Sequence, residues 1–126
     1  MITITTFGYL HAPPPDAEVV IDLRRHYRDP HVAPELRYLT AHDRAVRAAV
    51  LGTPGIRELV AATADMAVAF TAGPSAADHR TRVAVGCAGG RHRAATVGIM
   101  LDAALRARGH DVTLIHRDLA RPVVER

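Results

Sequence analysis

The sequence contains no lysine, and all 16 of its Lys-plus-Arg residues are arginines. P-loop nucleotide hydrolases need a lysine on the phosphates of their nucleotide, and the G-x-x-x-x-G-K-[ST] pattern is missing too, which argues against that class of enzyme. A compositional bias explains most of the arginine excess, although arginine also suits bidentate phosphate contacts. The formal charge of +3 permits nucleic-acid binding without demonstrating it.

Cysteine is nearly absent as well, since Cys87 is the only one. A single cysteine cannot form an internal disulfide and cannot build a zinc site from several thiolates. Eight histidines are present, but no two have the His-x3-His spacing beside an acidic residue. We therefore expect neither a metal site nor a cofactor.

No apolar run approaches membrane-spanning length, and the N-terminus lacks the basic and long apolar regions of a signal peptide. These absences predict a cytoplasmic protein without a membrane partner. The chain has 126 residues, of which 48% are apolar, and this size predicts one globular domain over residues 1–126.

Four short apolar runs have the composition of β-strands, at residues 2–8, 18–23, 82–86 and 111–116. A proline-rich connection at 9–16 is expected to be extended. The segment from residue 82 to residue 116 reads as a right-handed β-α-β unit with parallel strands. The pattern predicts an α/β fold, namely a small three-layer sandwich with a mostly parallel four-stranded sheet.

Three stretches between these runs have helical spacing of their apolar residues. Asp43 is expected to cap a short helix that ends before Gly52, and Thr53 with Pro54 is expected to begin a longer one. In that longer helix Met66 and Phe70 are expected in the core. The third helix is expected at 95–108, and Gly109 occupies the position of a C′ glycine. The tail from Arg117 is expected to fray at its end.

The loop between the third strand and the third helix has the form C-x5-R, from Cys87 to Arg93. A strand, a glycine-rich loop and a helix N-terminus together favour an anion, because the first amides of the helix are free and its dipole attracts negative charge. The arginine is expected to hold phosphate oxygens. The alternative is an ordinary strand-to-helix turn, with the cysteine as a small buried residue.

A second polar cluster, residues 24–31, follows the second strand and its last carboxylate, Asp22. Charge-rich loops are usually solvated. Ligands of open α/β sheets, however, bind at the carboxyl ends of strands. Both interpretations of this cluster stay open.

C-x5-R is also the phosphate loop of cysteine-dependent phosphatases, in which the cysteine attacks phosphorus and an aspartate protonates the leaving oxygen. In those enzymes a histidine precedes the cysteine and a serine or threonine follows the arginine, whereas this chain has Gly86 and Ala94. Asp22 or Asp43 would have to serve as the acid. A phosphatase with Cys87 as nucleophile is therefore the alternative hypothesis.

Seven stretches resemble the C-terminal domain of the RapZ family: 6–9 (TFGY), 16–17 (DA), 20–24 (VIDLR), 29–31 (DPH), 34–37 (PELR), 83–93 (VAVGCAGGRHR) and 116–119 (HRDL). Full-length members are ATP- and GTP-binding proteins, and some act as RNase adapters. The resemblance implies that this domain senses glucosamine-6-phosphate as a regulatory adapter. It also implies small RNAs and RNase E as partners, and self-association.

Carried over by position, the resemblance implies that the phosphate is held by the loop and that four further residues surround the mouth of the site. The loop residues are Cys87, Ala88, Gly89, Gly90, Arg91, His92 and Arg93, and the mouth residues are Asp22, Arg24, His31 and Arg37. Ala88 and Ala94 stand where the family usually has threonine and serine, so two hydroxyl donors are missing.

RNA binding would rest on three arginines near the end of the chain, which Asp118 and Glu125 offset: Arg117, Arg121 and Arg126. The leading hypothesis is thus a non-catalytic domain that binds a phosphorylated small molecule, with an RNA-binding adapter and the phosphatase as alternatives.

Overall fold

The computed structural model describes residues 1–125, and its elements follow the predicted order. The strands are β1 (Ile2–Gly8), β2 (Val19–Asp22), β3 (Thr81–Cys87) and β4 (Val112–His116). The helices are α1 (Arg44–Leu51), α2 (Ile56–Thr71) and α3 (Arg93–Ala107), with short 3₁₀ turns at Pro30–Val32 and Ala76–Asp78. In the described part of the chain, no helix has the length and apolarity that a membrane crossing requires.

The four strands form one sheet in the order β2-β3-β1-β4, and every neighbouring pair is parallel. The crossovers from β2 to β3 and from β3 to β4 run in the same direction, so right-handed connections place α2 and α3 on one face. The extended connection from β1 to β2 runs the other way, and its residues 15–17 lie beside Thr3, Thr5 and Ala84 on the second face. Helices, sheet and this segment form the predicted α/β sandwich.

The main core lies between the sheet and the helices. Ile2 and Ile4 of β1 and Leu101 and Leu105 of α3 are completely buried there. Gly98 lets α3 approach the sheet, because a Cβ atom at this position would lie 2.3 Å from Cγ2 of Thr6. Helix α3 thus packs directly over the central strand β1, and its N-terminus lies at the end of β3.

Two expectations for α2 are wrong. Met66 and Phe70 are 46% and 43% exposed rather than buried. The reason is that α2 turns a different stripe toward the core, one that includes small residues which a search for large apolar side chains overlooks. The buried residues of this helix are Ile56, Val60, Thr63, Ala64 and Ala67.

The start of α2 also differs from the expectation. The N-cap position is Gly55, with φ of 92°, and not Thr53. The Thr53 hydroxyl donates to the carbonyl oxygen of Ala49 at 3.0 Å, so it pairs a carbonyl in the last turn of α1 instead of capping α2. Asp43 occupies the N-cap of α1 as predicted, but its carboxylate accepts from the amide of Thr40 rather than from the helix.

The segment that follows β4 is anchored. Asp118 and Leu119 are buried, and the carboxylate of Asp118 accepts from the amide of Gly8 at 2.7 Å. Gly8 in turn contacts the loop after β3, because a Cβ atom on Gly8 would lie 2.4 Å from the carbonyl carbon of Gly89. Gly109 has φ of 85°, which agrees with its predicted place after α3.

We expect Gly8→Ala to lower the free energy of unfolding by about 1–3 kcal/mol, because the added methyl group would overlap backbone atoms of the loop that cannot move independently. The measurement is urea unfolding. Gly73→Ala is the matched control, since a Cβ atom there would meet only the carbonyl oxygen of Phe70, at 3.4 Å. Equal stability of the two variants would contradict the close packing at Gly8.

We expect stability to decrease as the pH falls below about 6.5, the ordinary pKa of histidine. Burial, together with the nearby His42, lowers the pKa of His116, so the unfolded chain binds more protons than the folded chain in this window. His116→Gln should reduce the loss between pH 7.5 and pH 5.5 in urea unfolding. A variant of the exposed His26 is the control, and an unchanged slope in His116→Gln would refute the assignment.

Candidate anion-binding site

The candidate site is the loop of residues 88–92, which joins the end of β3 to the start of α3. Gly90 adopts a φ of 77°, a left-handed conformation that glycine enters without strain. Glycine is also needed for space, because a Cβ atom at this position would lie 2.8 Å from the amide nitrogen of Gly8. The strand ends, the chain turns on glycines and a helix begins, as the sequence predicts.

Several backbone amides of this loop have no acceptor in the part of the chain that the structure describes. Within residues 1–125, the structure shows no hydrogen bond from the N–H groups of Ala88, Gly89, Arg91, His92 and Arg93. Gly89, His92 and Arg93 are buried residues, where an unpaired amide is costly. The positive end of the helix dipole adds to the attraction for an anion at this point.

Cys87 lies beneath the loop, and its side chain is almost fully buried. Its Sγ accepts from the amide of Gly90 at 3.3 Å and from the amide of Ala94 at 3.4 Å. The sulfur therefore connects the last residue of β3 to the turn of the loop and to the first turn of α3. This arrangement makes Cys87 part of the scaffold that shapes the loop.

The Arg93 side chain is only 3% exposed, and most of its donors are already engaged. Its Nη1 donates to the carbonyl oxygens of Leu23, Arg24 and Tyr27, at 3.0, 3.2 and 3.1 Å. Its Nη2 lies 3.2 Å from a carboxylate oxygen of Asp29, while Nε has no hydrogen-bond partner in the described structure. Arg93 thus ties the start of α3 to the segment after β2, a role that the sequence did not predict.

A small cavity lies against the loop, with room for about one water molecule (≈ 10 Å³). The structure brings together seven of the eleven predicted ligand residues around it, and adds three others. The predicted ones are Cys87, Gly89, Arg91, His92, Arg93, His31 and Arg37; the others are Asp29, Val123 and Val124. Ala88 and Gly90 belong to the same loop without lining the cavity.

The other two predicted residues, Asp22 and Arg24, do not line this cavity. They form an exposed ion pair in which Nη2 of Arg24 lies 2.8 Å from the Asp22 carboxylate, and the guanidinium stacks 3.5 Å from the ring centroid of Tyr9. The hydrogen bond from Arg24 lowers the pKa of Asp22. The pair stands at the carboxyl end of β2, next to the backbone that Arg93 holds.

His92 is buried at the N-cap of α3, and its Nε2 lies 2.8 Å from the carbonyl oxygen of Leu39. Burial lowers the pKa of His92, so the neutral form of the ring is favoured at pH 7. The contact also joins the loop to residues 34–41, which carry Arg37 to the cavity. His92 positions this wall of the site as a neutral group.

Asp118 supports the site from behind, a role that no local pattern of residues predicts. It is 1% exposed, accepts from Gly8, and binds Nε of Arg117 at 3.1 Å and Nε of Arg121 at 3.0 Å. Burial alone would raise the pKa of Asp118, but the bonds from Gly8 and Arg117 outweigh burial and lower it. Two of the three predicted RNA-binding arginines therefore face Asp118, and the third, Arg126, lies outside the described residues.

Known proteins are similar to this chain over nearly its whole length. The family described as the RapZ C-terminal domain matches residues 1–120. A nucleotide-binding protein of Thermobifida fusca is 40% identical over 119 residues, which are 94% of this chain and 40% of the relative. One from Salinispora tropica is 41% identical over 121 residues, 95% of this chain and 40% of the relative. The chain thus spans about two fifths of these relatives, and it belongs to the RapZ C-terminal domain family.

Proposed function

We propose that this domain binds a phosphorylated small molecule at the loop of residues 88–92, without altering it chemically. The observation that carries the proposal is a group of five backbone amides at the start of α3 for which residues 1–125 provide no acceptor. A phosphate oxygen accepts from such amides readily, and the helix dipole strengthens the bonds. The loop is therefore better suited to an anion than to any neutral ligand.

The side chains around the cavity support the same conclusion. Three arginines line it, Arg37, Arg91 and Arg93, against one carboxylate, Asp29, which is already paired with Arg93. Two guanidinium charges therefore remain without a carboxylate partner among the lining residues. Because this is a small space enclosed by protein, such charges attract an anion more strongly than they would in open water.

The chemical nature of the rest of the ligand is part of the proposal. An amino-sugar phosphate such as glucosamine-6-phosphate fits the family resemblance, and Asp22 would then accept from its amine or a hydroxyl. The names of the relatives suggest a nucleotide instead. Isothermal titration with inorganic phosphate, glucosamine-6-phosphate and ATP distinguishes the three, since only the sugar phosphate should gain affinity over inorganic phosphate.

The regulatory role proposed here is that of an adapter, in which occupancy of the site controls a protein or RNA partner. For RNA, the supporting charges are Arg117 and Arg121, although both bind Asp118. An RNA complex would weaken steeply with salt in a gel-shift assay. Self-association belongs to the same proposal, and analytical ultracentrifugation with and without sugar phosphate tests it.

We expect Arg37→Ala to weaken phosphate binding by about 10- to 100-fold in isothermal titration, because a charge-assisted hydrogen bond contributes roughly 1.5–3 kcal/mol. Arg37 lines the cavity and is only half-buried, and within residues 1–125 its guanidinium donates one hydrogen bond, from Nε to the carbonyl oxygen of His31. The fold should therefore survive the change.

Arg47→Ala is the matched control for that experiment. Arg47 is also half-buried and also donates one hydrogen bond to a backbone carbonyl, that of Ala41, but it does not line the cavity. It should bind phosphate like the unaltered protein. If both variants bind equally well, the site is not where we place it. Arg93→Ala is unsuitable, because it would release three carbonyls and Asp29 at once.

A second candidate function is phosphate-ester hydrolysis with Cys87 as nucleophile, since its sulfur lies at a helix N-terminus among amides. Asp22 and Asp43 do not line the cavity, so the acid would be Asp29. If the hypothesis holds, p-nitrophenyl phosphate is hydrolysed and Cys87→Ser abolishes the activity. Turnover that persists in Cys87→Ser would reject it, and we expect no turnover at all from a binding domain.

A further inference from the structure

The chain after β4 turns back toward the candidate site. Leu119 is buried against Ala41 and Ala95, and the amide of Arg121 donates to the carbonyl oxygen of Asp118 at 3.1 Å. These contacts hold residues 118–121 firmly against the rest of the fold. The residues that follow, 122–125, are here named the strap.

The strap lies over the loop of residues 88–92. Val123 and Val124 are half-buried and line the cavity together with Cys87, Gly89 and His92. The space left between them and the loop holds about one water molecule, which is too little for a phosphate group with its four oxygens. In this conformation the loop is covered.

We propose that the strap is a lid that keeps anions out of the site until it is displaced. The inference rests on the proposed function, because it concerns access to the same loop. Apolar valine side chains cannot accept hydrogen bonds, so among residues 1–125 the five amides of the loop have no acceptor in the covered state. An entering anion pairs them, and this gain favours displacement of the strap.

Arg91 holds the strap in its covering position through a hydrogen bond to the preceding residue, Arg121. Its Nη1 donates to the carbonyl oxygen of Arg121 at 2.8 Å and its Nη2 to that of Tyr38 at 2.9 Å. The first bond holds the residue from which the strap starts. A phosphate beside Arg91 offers a charged acceptor, which binds a guanidinium more strongly than a neutral carbonyl does. Ligand binding thus competes directly with the bond that holds the strap.

The lid can be tested without any ligand, because Cys87 is the only thiol and lies under the strap. The probe is the rate at which the folded protein reacts with methyl methanethiosulfonate. Two variants open the site: a chain that ends at Arg121, and the double substitution Val123→Ala with Val124→Ala. Both keep the buried Leu119. Val20→Ala is the control, since Val20 is a partly exposed valine on β2, away from the cavity.

If the strap covers the loop nine tenths of the time, its removal should accelerate thiol modification about tenfold and tighten the binding of inorganic phosphate about tenfold. The double substitution should shift both quantities in the same direction by less, and the control should shift neither. Thermal unfolding confirms that each variant is folded before the rates are compared.

The two readouts separate the lid from the function on which it rests. Faster thiol modification with no phosphate binding in any variant would uphold the lid and reject the proposed function. Unchanged modification rates in both strap variants would overturn the lid whatever the titration shows. Weaker phosphate binding after truncation would also overturn it, because the strap would then be a wall of the ligand site.

Discussion

The buried guanidinium of Arg93 is the contact on which the rest of the site depends. Three carbonyl oxygens after β2 point inward, and Nη1 of Arg93 satisfies all of them. Without it the buried carbonyl of Leu23 would lose its partner, at a cost of about 1–3 kcal/mol, and the part-buried carbonyls of Arg24 and Tyr27 would lose theirs at a smaller cost. The same side chain holds Asp29, and so places the segment that carries His31 beside the loop. One arginine thereby holds in place a segment that is 70 residues away in the sequence, and this segment forms a wall of the cavity.

Because Arg93 is engaged in this way, the proposed binding of an anion would rest mainly on the backbone. Backbone amides do not depend on the side chains at Ala88 and Ala94, so the loss of two hydroxyls leaves in place the five N–H groups that have no acceptor among residues 1–125. Such a loop distinguishes charge and size better than it distinguishes one sugar from another. Under the proposal, selectivity between ligands would come from side chains that line the cavity, such as Arg37.

Features that depend on local spacing were predictable from the sequence. The runs at Ile2–Gly8 and Thr81–Cys87 alternate or repeat apolar residues within a few positions, and the anion loop follows one of them directly. Features that join distant residues were not predictable. Gly8 and Asp118 are 110 residues apart, and no spacing rule connects them. The expectation for the buried face of α2 was wrong for a related reason. The residues of this face that contact neighbouring elements include alanines, whereas Met66 and Phe70 are exposed.

Under the proposal, the affinity of the loop for an anion depends both on its amides and on the strap that covers them. If the amides were fully satisfied within the protein, the loop would have no affinity for an anion, and covering it would serve no purpose. If they were open to water, water would pair them and an anion would have to displace it. The strap places two valines beside the loop, and valine side chains offer no hydrogen-bond acceptor. Among residues 1–125 the loop therefore has few hydrogen-bond acceptors, so under the proposal a ligand that supplies acceptors gains more free energy by entering.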